Sequence, residues 1–120
     1  MEPYPECLDA MLAAWNESDP TKIRAHLEKA LEETVHFVDP ANDVAGIDAF
    51  EAMVHDVQSK IPGAVYSRQG GVDSHHDLYR YHWAIHLNGE LLTPGFDVTE
   101  VSTDGKVSRV IGFFGHLDDK

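Results

Sequence analysis

The chain has 120 residues and a formal charge of -12, from 21 acidic against 9 basic side chains. That balance opposes both phosphate neutralisation and attraction to anionic lipid, so neither nucleic acid nor a membrane surface is an expected partner. With 42% hydrophobic and 25% charged residues, the composition is that of a globular protein, and a single domain over residues 1–120 that buries roughly two-thirds of its unfolded surface is expected.

Cys7 is the only cysteine, which excludes an internal disulfide and a thiolate-rich metal site and suits a reducing compartment. Met1 to Leu8 carry Glu2 and Glu6 and no apolar run, so a signal or transit peptide is not expected. No stretch approaches the ~20 apolar residues of a membrane-spanning helix. The cytoplasm is the expected location.

Leu8, Met11, Leu12 and Trp15 fall on one helical face, which predicts a packed helix from about Pro5 to Glu17. Ser18-Asp19-Pro20 supplies a cap and a proline at the first helical position, and Ile23, Leu27, Ala30 and Leu31 continue a second stripe. Thr34 to Val38 is β-branched and aromatic, hence a short strand, and Asp39-Pro40-Ala41-Asn42-Asp43 stops it. After Gly46, the spacing of Phe50, Met53, Val54 and Val57 predicts a third helix that Pro62-Gly63 breaks.

Everything beyond reads as sheet. Ala64 to Val72 makes one strand and Asp73-Ser74-His75-His76 a turn. Leu78 to Leu87 then makes a long strand closed by Asn88-Gly89, a two-residue hairpin signal. Glu90 to Ser102 and Lys106 to Phe114 follow, and Pro94-Gly95 marks a bend in the first of them. The order helix, helix, strand, helix and four antiparallel strands predicts an α+β fold, its helices on one face of the sheet. Three helices across the concave face of a bent antiparallel sheet enclose either a filled core or a small-molecule pocket.

The run Leu12 to Asp19, then Phe37-Val38-Asp39-Pro40, the helix-opening Gly46, Gly95-Phe96-Asp97 and the closing Val110 to Gly115 together resemble the nuclear-transport-factor-2-like superfamily, and within it the SnoaL-like proteins and ketosteroid isomerases. The resemblance spans most of the chain. It implies a cone-shaped α+β barrel, often a homodimer through the outer face of the sheet, and a superfamily that holds isomerases, polyketide cyclases, dehydratases, epoxide hydrolases and many non-enzymes. Asp39 matches the general-base aspartate of the ketosteroid isomerases. Asp97 matches their second aspartate, kept protonated in an apolar site so that it donates to a developing oxyanion. Met11 stands where those enzymes carry the oxyanion tyrosine and Val54 where they carry a supporting one. The loss of one such donor costs ~10²–10³ in turnover, so efficient steroid isomerisation is not expected.

Strand alternation locates the pocket independently of the resemblance. Tyr79, Tyr81, Trp83 and Ile85 share one face of their strand, expected to be concave, and Arg80, His82, Ala84 and His86 share the other. In the next strand Gly95, Asp97 and Thr99 face one way, and in the last Val110, Gly112 and Phe114 do. The expected wall is therefore Tyr81, Trp83, Val110, Gly112 and Phe114 from the sheet. Phe37 comes from the short strand and Met11, Trp15 and Met53 from the helices, the last two as core or wall. Asp97 is the sharpest candidate for chemistry, because an inward carboxyl on an apolar wall is desolvated and its neutral acid favoured. Asp39 reads equally as a catalytic base or as an ordinary turn opener. A reversed register would instead bring Arg80 and His82 inside as a proton-relay pair similar to that of the superfamily's epoxide hydrolases, and would expel Tyr81 and Trp83.

The histidines do not predict a metal. His82 and His86 would be ligand-spaced on a helix but lie ~13 Å apart on a strand. His75 and His76 have Asp77 as their only obvious local partner, and His26, His36, His55 and His116 show no convergent spacing. No phosphate loop or nucleophile elbow appears, so no cofactor is expected. Two functions stay open: a cofactor-independent isomerase, cyclase or hydrolase that moves protons with Asp97 and Asp39 on a small hydrophobic carbonyl compound, or a ligand-binding or dimeric assembly module without turnover.

Overall fold

The computed structural model describes residues 4–115, so His116 lies outside the described residues. Helix α1 (Glu6–Asn16) opens the fold, with Glu6 and Asp9 in its first turn, where carboxylates complement the helix dipole. It buries Cys7, Leu8, Met11 and Ala14. Asp19 caps the short 3₁₀ turn Pro20–Lys22 by accepting from the Thr21 N–H at 3.0 Å, and α2 (Ile23–Ala30) follows directly. Gly46 precedes α3 (Ile47–Lys60) with φ +90°, a backbone region that glycine adopts at little cost. The inward faces of the helices meet around Leu8, Ile23, Leu27, Phe50 and Val54, all fully buried.

Strand β1 (Leu31–Val38) leaves α2 without a loop, so Leu31 ends the helical stripe as a strand residue. The remaining strands are β2 (Asp43–Ala45), β3 (Val65–His75), β4 (Leu78–Leu87), β5 (Glu90–Val101) and β6 (Val107–Phe114), and they form one open sheet in the order β2-β1-β6-β5-β4-β3. The sheet is curved and mixed. β3 to β6 are a meander of antiparallel hairpins, but β6 pairs with β1 in parallel. That one pair departs from the expected all-antiparallel sheet, because local patterning shows which residues form strands and not which distant strand becomes the neighbour. The segment expected to be a plain turn after Val38 contains β2, whose pairing places Phe37 opposite Val44. β3 runs on to His75, and only His76 and Asp77 turn the chain. Its extra length is accommodated by an irregularity between Gln69 and Asp73, where Gly70 has φ +79°.

Asn16 fastens the end of α1 to β3. Its side chain donates to the Tyr66 carbonyl at 2.7 Å and accepts from the Tyr66 N–H at 2.8 Å, as a neighbouring strand would. Among the described residues, no helix is long and apolar enough to cross a membrane.

Candidate active site

Between α1 and the sheet lies an apolar cavity of about 180 Å³. α1 contributes Leu8, Met11, Leu12 and Trp15, whose helical spacing turns one face onto it. Phe37 from β1, Val57 from α3 and Phe114 from β6 close the apolar wall. Met53 and Val110, expected in that wall, do not line the cavity. Both are buried in the core instead, at 5% and 0% exposure, because the helices pack directly on the sheet at those positions and leave no space.

β4 carries the expected face inward. Tyr81 and Trp83 line the cavity, whereas Arg80 and His82 are exposed on the convex side. There Arg80 Nε donates to Asp73 Oδ2 at 2.7 Å and the His82 ring lies 5.2 Å from that of Phe96. The register that would bring Arg80 and His82 inside is therefore not the one adopted. Among the described residues, no three His, Cys, Asp or Glu side chains gather as a metal site.

Asp97 on β5 reaches the cavity opposite Tyr81 on one side and Gly112 on the other. Its Oδ1 accepts from the Trp83 indole N–H at 2.9 Å. Burial pushes its pKa up to about 7, against the opposing hydrogen bonds from Trp83 and Tyr81, and the charge of Asp39 raises it further. At neutral pH the group is divided between acid and carboxylate, able to donate in one form and accept in the other. Tyr81 is also held, its hydroxyl sharing a hydrogen bond of 3.1 Å with Thr99, a fully buried polar residue beside the hydrophobic core.

Two glycines make this arrangement possible. Gly95 stands opposite Trp83 in register, and the indole lies so close over it that a Cβ there would overlap the ring. Gly112 lies between the two aspartates, where a Cβ would sit 2.9 Å from Asp97 Oδ1 and 3.3 Å from the Asp39 Cβ. Without a side chain at Gly112, both aspartates reach the lining of the cavity beside it. Asp39 caps the turn after β1, its Oδ1 accepting from the N–H groups of Ala41 at 2.9 Å and Asn42 at 2.7 Å and from Asn42 Nδ2 at 3.1 Å. Asp39 thus opens the turn and also lines the cavity.

Tyr66 and Arg68 also line the cavity, although neither belongs to the expected wall. Their spacing of two on a strand is the signal that carries them, since it places both on the concave face once one of them is there.

A curved sheet of six strands capped by three helices over an apolar cavity is the NTF2-like fold. No protein-family model and no curated protein matches the chain. Among solved structures it is similar to an isomerase candidate of the SnoaL-like family from Agrobacterium tumefaciens, with 30% identity and a TM-score of 0.87 over 92% of this chain and 95% of that one. An NTF2-like protein from an Exiguobacterium species shares the fold at 22% identity and a TM-score of 0.74, covering 95% of this chain and 99% of its own. A candidate SnoaL-like polyketide cyclase from a Jannaschia species does so at 14% and 0.71, covering 95% and 89%. The chain belongs to the SnoaL-like family.

Proposed function

We propose that this protein is a cofactor-independent enzyme that moves a proton next to the carbonyl of a small hydrophobic compound, in the cytoplasm. The observation that carries this reading is the convergence of Asp39 and Asp97 across Gly112 on one end of an apolar cavity. Asp39 is the base that removes a proton from the carbon beside the carbonyl, and protonated Asp97 donates a hydrogen bond to the oxygen as negative charge develops there. Return of the proton from Asp39 to the same or a neighbouring carbon completes exchange or isomerisation with no other reactant. A buried acid that retains its proton beside a second carboxyl suits the two roles. Met11 offers no donor where the ketosteroid isomerases have a tyrosine, so Asp97 carries the oxyanion alone.

The test is deuterium incorporation beside the carbonyl of cyclohex-2-enone and acetophenone in D₂O, followed by NMR. Acceleration by the protein is expected, with a loss of about 10²–10³ in both Asp97→Asn and Asp39→Asn. Exchange no faster than in buffer, or unchanged in the two variants, overturns the enzymatic reading. One observation favours the second reading, a binder without turnover: Asp39 Oδ1 already accepts three hydrogen bonds from its own turn.

The convex face supports a homodimer. Phe96 pairs with Phe113 and Val98 with Ile111 across β5 and β6, forming an apolar patch on which Phe113 is 55% exposed. Light scattering at micromolar concentration is expected to give twice the chain mass, and Phe113→Asp to give the monomer. A monomeric parent protein would refute this assembly.

A further inference from the structure

The cavity has a second polar end. Tyr66 stands opposite Ile85 and Arg68 opposite Trp83, so β4 separates both from Asp97 on β5. Each holds a buried polar atom without a hydrogen-bond partner among the described residues, the Tyr66 hydroxyl and Arg68 Nε. Buried donors are normally satisfied, and two orphans on one wall of a cavity call for an explanation.

The rest of both side chains is fixed. Arg68 Nη1 donates to Asp9 Oδ1 at 2.9 Å and to the Tyr4 hydroxyl at 3.0 Å, and the guanidinium lies 4.9 Å and 5.1 Å from the ring centres of Tyr4 and Tyr81. Its charge is thus paired with Asp9 while Nε stays unused. Tyr66 is held through its backbone by Asn16, and its ring centre lies 5.3 Å from that of Trp15. Donors fixed in place without partners are preorganised for a ligand atom.

We propose that Tyr66 and Arg68 form a second polar subsite of this cavity, one that receives an uncharged acceptor oxygen of a ring-sized compound whose reacting carbonyl meets Asp97. The inference rests on the proposed function for the Asp97 end and adds the substrate class. Size follows from the cavity of about 180 Å³, since an engineered apolar cavity of ~150 Å³ takes up benzene. The absence of charge on the ligand follows from the pairing of Arg68 with Asp9, from the two carboxyls at the other end and from the net charge of -12, all of which oppose an anion.

The test compares isosteres that differ only at the second oxygen. The probes are 1,3- and 1,4-diacetylbenzene against 3- and 4-isopropenylacetophenone, with affinity read from the fluorescence of Trp15 and Trp83 and from ligand NMR. At least one diacetyl compound is expected to bind about tenfold or more tighter than its isopropenyl partner, because a donor site left unpaired discriminates strongly. Tyr66→Phe, which removes only the unpartnered hydroxyl, is expected to fold as the parent does and to lose most of that preference. Arg68→Lys, which keeps the charge and removes Nε, is expected to weaken it as well. Equal affinity within each pair overturns the subsite and leaves the cavity reading standing. A preference that survives in both variants overturns the assignment to these residues. If no probe binds, the cavity reading fails and the subsite with it.

Discussion

Asp97→Asn is expected to stabilise the folded protein at pH 8 and to have little effect at pH 4. The folded-state pKa of Asp97 is pushed from 3.8 up to about 7, chiefly by burial, so folding favours the protonated acid. Below about pH 4 both folded and unfolded states hold the proton, and the wild-type group carries no penalty. Between about pH 4 and 7 the unfolded chain releases the proton while the folded chain retains it, so stability falls as pH rises. Above about 7 both states are ionised and the penalty is complete. A shift of this size corresponds to about 4 kcal/mol, an upper bound here because the carboxyl opens onto a cavity that water can enter. Asparagine is neutral throughout, occupies the same volume and still accepts from Trp83 through its carbonyl oxygen. Urea unfolding of both proteins at pH 4.5, 6 and 8 isolates the effect, since the depressed carboxyls Glu17, Asp19 and Asp73 are common to both and cancel in the difference. Parallel stability profiles for the two proteins would show that Asp97 is not held as proposed. Together with the expected loss of proton exchange, the same substitution would then stabilise the fold and abolish the chemistry, the pattern of a strained functional group.

Much of this site follows from periodicity. The stripe Leu8, Met11, Trp15 has helical spacing and the pair Tyr81, Trp83 has strand spacing, and each set does face inward. Asp97 is placed by the same alternation, since Gly95 and Thr99 share its face. What periodicity does not supply is the distinction between core and cavity. Met53 and Val110 point inward as expected, yet meet closely packed neighbours rather than space, because the distance between helix and sheet depends on side chains far apart in the chain. Pairing across long separations is equally silent in the sequence: nothing near Leu31 or Val107 indicates that the two become parallel neighbours. β2 is too short, at Asp43–Ala45, for alternation to emerge from a turn-rich segment. Hydrogen bonds such as that from Trp83 to Asp97 depend on rotamers, which residue spacing does not determine. The Pro94-Gly95 dipeptide shows the same division. Its strand-bending role is local and visible, while the need for glycine under the Trp83 ring is a tertiary fact.

That tertiary requirement leads to a large expected effect. Gly95→Ala places a methyl group where the six-membered ring of Trp83 lies, and a β-strand backbone has little freedom to move aside, so the indole must leave. Displacement breaks the 2.9 Å bond to Asp97 and the edge-on contact with Phe114 at 5.9 Å. Destabilisation of about 2–4 kcal/mol is expected, at the upper end of overpacking because a hydrogen bond is lost along with the packing. Trp83→Ala on its own is expected to cost about 2–4 kcal/mol, since the half-buried indole leaves a gap rather than a clash. In the double variant the alanine at position 95 meets no ring, so its added cost is expected to fall below about 1 kcal/mol, a coupling characteristic of residues in direct contact. A second readout separates this contact from general damage to the fold. The Trp83 N–H lowers the pKa of Asp97, so Trp83→Phe, which removes that donor and keeps an aromatic ring beside the carboxyl, is expected to raise it, a direction that carboxyl NMR resolves. Additive stability effects, or an Asp97 titration that moves down in Trp83→Phe, would show that Gly95 and Trp83 do not hold the carboxyl together.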